Sequence, residues 1–519
     1  MIPLFRVAGY YLEECISLFR VKATPAGIFA HPCPGGSRRI QVMEDSDPVS
    51  KITAAMSHAV PRGRTDLSAG DITVLRGLTR ELTAAKQEAR AEYERFLAIR
   101  DRELCLPEAE LRQRLSGAAI LVTGGTGCIG SSLIARLTRY GPRRLASVSR
   151  GIRPWSVTGE VICLQGDVRD RTRIDEIIAQ ARPDIIFHCA AQRSPALAEV
   201  EVHRTVSTNV LGARNVLAAA RAAGVPQVVL ASTGKALRPY SPEVYTASKR
   251  AAEWIAATEA GKDGMLVSAA RFTHVFDNSL VHEQLLKQAS TGGVLRLHSP
   301  DIGFYVQSAA ESAQLLLLAC LGAVPGEFRV HAITGLGWPV SLLDVALGVI
   351  GREGSASPVY ISGYDPGYEE VPFPGLYDPA TAGDVSPLFN AFEAAAQAPP
   401  ACPMTGACTL EMAESAAAGA RLRMMEKHAE NMNSGEIRLM LDSLSWLVLD
   451  ATLAAADRTA LNRCAGLAEK NGMTMSPVHR SIVTAVRKHA RLLTCLTLQA
   501  AVRNAVSVSC NLGDTVSKN

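Results

Sequence analysis

Tyr245 and Lys249 are the pair in this sequence with the plainest capacity for proton chemistry. Four residues apart, they share one face if the segment is helical. An ammonium beside a phenol favours the phenolate, and a phenolate can take the proton of an alcohol as hydride leaves the same carbon. Twelve positions before Tyr245 stands Thr233, in the run Ser232-Thr233-Gly234-Lys235, and its hydroxyl can hydrogen-bond that alcohol. Tyr-x-x-x-Lys by itself arises often on surface helices. Here it follows a strand that ends Ser-Thr and lies downstream of a glycine-rich turn.

That turn supplies the hydride acceptor such chemistry needs. Residues 119–130 read as an apolar strand, Ala-Ile-Leu-Val-Thr, running into Gly124-Gly-Thr126-Gly127-Cys128-Ile129-Gly130 with a helical pattern behind it. Gly124 permits the tight turn, Gly127 lets the backbone approach a pyrophosphate, and Gly130 lets helix and strand pack closely. The free N–H groups at the helix start aim at the phosphates. A second strand ends at Ser149 and is followed by Arg150, with no Asp or Glu where the adenosine ribose would lie. An arginine there accommodates a 2′-phosphate, so NADP is expected over NAD. Asp167 and Val168 after the third strand are placed for the adenine. Ala190 and Ala191 after the fourth are small enough to let the cofactor pass.

The elements that must position these residues fall into three regions. Residues 1–115 begin with a Pro/Gly-punctuated stretch (Pro25, Pro32, Pro34, Gly35, Gly36) and change to a charged helical pattern from Ala69 to Arg114. Leu75, Leu78, Leu82, Ala85, Ala89, Tyr93 and Leu97 recur at three and four residues, one helix face. Residues 116–395 alternate strand and helix. Strands are expected at 120–123, 145–149, 161–165, 185–189, 228–232, 265–272 and 328–331, and helices at 174–181, 206–223 and 244–260. Continuous apolar strands bury both faces, which predicts an α/β, Rossmann-type, doubly wound parallel sheet with a small C-terminal substrate-binding part. Pro399 and Pro400 open a third region, 396–519, rich in Ala, Leu, Met and Arg. Its segments 437–456 and 482–502 read as amphipathic helices for stability or oligomer contact.

Composition excludes several classes. The chain has 519 residues, 47% hydrophobic and 20% charged, with a net charge of +4. That fits a folded protein and gives no basic stripe for nucleic acid. Twelve cysteines form no Cys-x-x-Cys pair, and Cys402 and Cys408 have no matching His/Cys pair nearby, so no metal site is expected and reduced thiols of a cytoplasmic protein are. The N-terminus lacks the layout of a secretory signal, and the apolar run 315–321 is too short to span a bilayer.

Residues 116–395 resemble the extended short-chain dehydrogenase/reductase family, and within it nucleotide-sugar 4,6-dehydratases and epimerases of polysaccharide biosynthesis. The carrying stretches are Thr123–Gly130, Thr208-Asn-Val-Leu-Gly-Ala-Arg-Asn215, Ser232-Thr-Gly-Lys-Ala236 and Tyr245-Thr-Ala-Ser-Lys-Arg-Ala-Ala-Glu253. The resemblance implies a nucleotide-sugar substrate and a homo-oligomer joined through the helices at 206–223 and 244–260. It also implies a cycle in which Tyr245, Lys249 and Thr233 assist oxidation of a sugar hydroxyl to a ketone. A lysine matching Lys235 then removes the neighbouring C–H proton, and the hydride returns at the end.

One departure bears on the outcome. Dehydratases of this group carry an Asp between the matching Thr and Lys to protonate the leaving hydroxyl. Here that position is Gly234. General acid assistance is typically worth about a hundredfold to ten-thousandfold, so elimination loses ground to epimerisation. The loop from Thr233 to Tyr245 is also about two residues longer than usual. After Arg271 come Phe272-Thr273-His274 in place of Tyr-Gly-Asn. Arg193 and Arg271 are candidates to hold a substrate diphosphate, each equally readable as a surface or salt-bridged arginine, and His274 is a candidate acid at the substrate. Two other readings stand beside this one: an NADP-dependent reductase or dehydrogenase with net turnover, and a non-catalytic cofactor-bound scaffold.

Overall fold

The computed structural model describes residues 47–151, 160–278, 280–337, 339–364, 386–390, 392–393, 397–400, 402–470 and 477–492. They divide into two compact units. The larger holds residues 103–273 and 309–335 and the described residues from 386 onward; the smaller holds 47–102, 274–308 and 336–364.

The larger unit is built on a nine-stranded sheet. In chain order its elements are β1 (Ala119–Thr123), α1 (Cys128–Leu137), β2 (Arg144–Ser149), β3 (Ile162–Gln165), α2 (Arg171–Ala181), β4 (Ile185–His188), α3 (Gly212–Ala222), β5 (Gln227–Thr233), α4 (Val244–Glu259), β6 (Leu266–Phe272), α5 (Ala309–Leu321), β7 (Phe328–Ile333), β8 (Gln397–Ala398), β9 (Thr405–Thr409), α6 (Ala416–His428) and α7 (Ser434–Ala455). The sheet order is β8-β9-β7-β6-β5-β4-β1-β2-β3. Every residue of β1 and β4 is buried, the consequence of helices on both faces. From β3 across to β7 all pairings are parallel, and the chain reverses its direction of winding between β1 and β4. That reversal is where an open α/β sheet leaves a crevice for ligands.

The strands expected from apolar runs are all present, within two residues at their ends. Two others are additions: β8 and β9 pair antiparallel, β9 against β7, so the sheet is not purely parallel and the third sequence region lends it strands. β9 reads Thr-Gly-Ala-Cys-Thr, with neither alternation nor bulk, and only its pairing with β7 makes it a strand. The helix expected at 437–456 is α7. The one expected at 482–502 is described from 477 to 492, and the rest of it, like the Pro/Gly stretch at 25–36, lies outside the described residues.

In the smaller unit, residues 47–102 of region 1–115 contribute to the core. Leu75, Leu82, Tyr93 and Phe96 pack with Phe304, Leu347 and Tyr360 in one buried cluster. The stripe from Leu75 to Leu97 is carried by two helices, not one. Ala69–Ala85 begins with a capping box between Ser68 and Asp71, and Ala89–Ala98 follows a break at residues 86–88 that leaves Ala85 exposed. Gly348 is required by its neighbour: a methyl there would run into the Tyr93 ring.

Candidate active site

The turn after β1 has the shape its glycines were expected to give. Gly124 sits at φ +71°, and a Cβ on it would lie 2.7 Å from the Ala190 backbone. Gly130 is pressed against the Gly124 carbonyl, with no room for a methyl. Gly125, not singled out from sequence, is as constrained, since a side chain there would meet Ser147 and Ile134. Gly127 caps α1 without a side chain, so the N–H groups of Cys128, Ile129 and Gly130 point out of the helix start unclaimed by a capping side chain. Backbone N–H groups, a close backbone passage at Ala190 and the helix dipole make an anion cradle. A dinucleotide pyrophosphate fits the donors present.

The second and third strand ends complete the rim. Thr126 donates its hydroxyl to Ser149 Oγ at 3.0 Å, tying the turn to β2. Arg150 is exposed, and its carbonyl accepts from Gln165. Burial alone would push the Asp167 carboxyl up, but the side chain and backbone of Arg169 outweigh it and hold the group below its ordinary value. Val168 is buried against α3, where a Cβ on Gly212 would meet it at 2.7 Å. Ala190 N–H donates to Thr123 Oγ1 at 3.4 Å, and Ala191 is exposed.

Tyr245 and Lys249 stand one turn apart on α4. Lys249 Nζ donates to the Ala231 carbonyl in β5 at 2.7 Å. Burial brings its pKa down from 10.5 to about 8, against the pull of Glu253 and Cys189. Thr233 closes β5 and accepts from the Lys235 N–H at 3.3 Å. Lys235 lies in the 3₁₀ turn Gly234–Leu237, and its side chain is buried. These four candidates thus share the carboxyl end of β5 and the start of α4.

The three substrate candidates are placed differently. Arg193 is exposed in the loop after β4. Arg271 is fully buried and is a salt-bridged arginine, which corrects its reading as a diphosphate clamp. It donates to Glu253 at 2.7 and 2.9 Å, to Glu393 at 2.6 and 2.8 Å and to the Leu388 carbonyl at 2.9 Å. Burial would lower its pKa, but the two carboxylates carry it well above the ordinary value. His274 belongs to the smaller unit, its ring edge-on to Phe304 at 5.4 Å. Burial, with a smaller push from His282, takes its pKa down to about 4, so it is neutral at physiological pH.

Three polar residues that were not singled out support the site. Asn209, in a π-helical turn Ser207–Leu211, accepts from Gln192 N at 2.7 Å and donates to Gln192 O and to Ser248 Oγ at 3.0 Å. Ser248 in turn donates to the Tyr245 carbonyl at 2.7 Å. His188, in an otherwise apolar strand, shares a 2.8 Å hydrogen bond with Thr123, and burial and Lys249 take it down to about 3. Glu243 is buried at the start of α4. A polar residue inside an apolar run was the signal available for the first two.

Residues 120–369 match the family described as polysaccharide biosynthesis protein. The chain is similar to the capsular polysaccharide biosynthesis protein CapD of Staphylococcus aureus, 29% identical over 286 residues, covering 51% of this chain and 47% of that one. It is similar to the uncharacterized membrane protein MJ1061 of Methanocaldococcus jannaschii, 32% identical over 221 residues, covering 41% of this chain and 65% of that one. It is also similar to the inverting UDP-N-acetylglucosamine 4,6-dehydratase of Campylobacter jejuni, 31% identical over 170 residues, covering 31% and 50%. The chain spans about half to just under two thirds of the length of these relatives. Among the described residues no single helix is long and apolar enough to cross a membrane.

Proposed function

We propose that this chain, whose residues 120–369 match the family described as polysaccharide biosynthesis protein, modifies a nucleotide-sugar through a transient ketone, with NADP or NAD as a recycled cofactor. The observation that carries this reading is Lys249 Nζ on the Ala231 carbonyl, which fixes α4, with Tyr245 one turn away, against the carboxyl end of β5. The glycine cradle opens at the same end of the same sheet.

Gly124, Thr126, Gly127, Cys128, Ile129 and Gly130 would hold the pyrophosphate, and Ser149, Arg150, Asp167, Val168, Ala190 and Ala191 the adenosine side. Arg150, at a strand end that carries no Asp or Glu, favours a 2′-phosphate and therefore NADP. A nicotinamide dinucleotide bound there supplies a group that accepts a hydride and gives it back. Tyr245 removes the proton from the sugar hydroxyl, and Thr233 holds the same oxygen. The Lys249 ammonium stabilises the phenolate through its charge. Lys235 then removes the proton beside the new ketone, leaving an enolate. With Gly234 offering no acid to the departing hydroxyl, return of the proton on the opposite face is favoured over loss of water.

The test is incubation with a panel of nucleotide-sugars in heavy water, read by mass spectrometry and nicotinamide absorbance. Uptake of one deuterium without net change in reduced cofactor is the expected result. Loss of one water mass would assign dehydration, and stoichiometric consumption of the reduced cofactor would overturn the reading in favour of a net reductase.

A further inference from the structure

We propose that Glu243 is the proton partner of Lys235, taking up and giving back the proton that Lys235 removes from carbon. The proposal rests on Lys235 being the group that removes the C–H proton.

Both side chains are almost fully withdrawn from water, Lys235 at 4% and Glu243 at 7% exposure, and Nζ lies 3.9 Å from Glu243 Oε2. The carboxylate is held from several sides. Oε2 accepts from Thr246 Oγ1 at 2.8 Å, and Arg238 Nη1 stands 3.5 Å from Oε1. Among the described residues Oε1 has no hydrogen-bond partner. Helix capping does not account for it. Glu243 occupies the N-cap of α4, yet its side chain makes no capping hydrogen bond, and Ser, Thr, Asp or Asn would serve that position better. A buried carboxylate with one oxygen lacking a hydrogen bond is costly to keep, and such cost is commonly borne at functional sites.

The loop that joins the two residues is fixed. Asn390 Nδ2 donates to the Leu237 carbonyl at 2.6 Å, and Tyr240 donates its hydroxyl to Asp442 at 2.7 Å. A small rotation of the lysine end closes the gap of 3.9 Å, since such contacts tighten when substrate binds.

The proton balance closes. The Lys235 amine takes the proton from the carbon beside the ketone, and the C–H electron pair becomes the enolate. The ammonium gives a proton to the Glu243 carboxylate, which restores the amine and leaves a neutral carboxyl. That proton, or one exchanged with solvent, returns through Lys235 to carbon. If the neighbouring hydroxyl leaves, the proton departs with it as water.

The experiment compares the wild-type chain with Glu243→Gln and Glu243→Asp, on the best nucleotide-sugar from the panel, in heavy water. Rapid-mixing absorbance reads formation of reduced nicotinamide, and mass spectrometry reads deuterium at carbon. Glu243→Gln keeps the size of the side chain. It is expected to retain the transient absorbance and to slow deuterium uptake by roughly a hundredfold. Glu243→Asp keeps the acid but draws it back, and its uptake is expected to fall less. Unchanged uptake in either variant overturns the proposal, and because the Asp variant preserves the charge it serves if the Gln variant does not fold. A wild-type chain that shows neither absorbance nor uptake on any nucleotide-sugar takes down the parent reading as well. A competent wild type with unaffected variants removes only the role of Glu243.

Discussion

The ring of Tyr240 stacks on that of Trp446, centroids 4.0 Å apart and planes 27° from parallel. Tyr240 lies between Lys235 and Tyr245 in sequence, and Trp446 lies on α7, far beyond the stretch that matches the family. α7 therefore touches the loop that carries the candidate base. Asp442, one turn before Trp446, accepts the Tyr240 hydroxyl.

Asp442→Ala should therefore loosen the loop. We expect a loss of about 1–2 kcal/mol in urea unfolding and a fall in kcat larger than any change in KM. Equal activity with equal stability would separate α7 from the site.

Glu393→Ala should cost far more. It leaves Arg250 and Arg271 with one buried carboxylate between them, Glu253, where there are now two. Removal of one partner from a buried ionic network costs about 3–5 kcal/mol. Denaturant titration would read it, with secondary structure by circular dichroism as the control.

Lys249→Met should stabilise the chain while abolishing its activity. The folded pKa of about 8 lies below the ordinary 10.5, so between these values the unfolded chain binds more protons than the folded one. The contribution of Lys249 to stability therefore rises with pH across that window, and the full cost of burying its charge is borne below it. The variant should exceed wild type by on the order of 2 kcal/mol at pH 6–7. The margin should shrink as pH climbs from about 8 toward 10.5. Thermal unfolding as a function of pH would show it, and a margin that grows with pH would contradict the assignment.

Gly124→Ala should empty the cradle. The methyl meets the Ala190 backbone, and φ is positive. We expect nicotinamide dinucleotide affinity to fall at least tenfold, read by fluorescence titration, with about 1–3 kcal/mol of lost stability.

What the sequence carried was local. Gly124, Gly127 and Gly130 announce a turn because their chemistry is that of the backbone itself. Tyr245 and Lys249 announce a shared face because helix spacing is fixed. What stayed hidden depended on partners distant in the chain. Arg271 reads equally as a phosphate ligand or a structural cation until Glu253 and Glu393 are seen beside it. β9 has no strand pattern of its own, and β7 makes it one. Leu75 through Leu97 keep a helical period across a break, because periodicity records which face is buried and not whether the backbone is continuous. Asn209 was visible as a polar residue in an apolar helix, but its link to Tyr245 through Ser248 needed the packing of the π-helical turn on α4.

Arg271 and Glu393 are separated by 122 residues of chain. On the ribosome, the sixth strand and its first acid, Glu253, are synthesised long before Glu393, the second acid that pairs with its guanidinium. A nascent chain halted short of that point would hold an under-compensated cation in its interior, and should remain open to proteases and chaperones. Completion of this ion network thus waits on a residue that lies beyond the family-matched stretch.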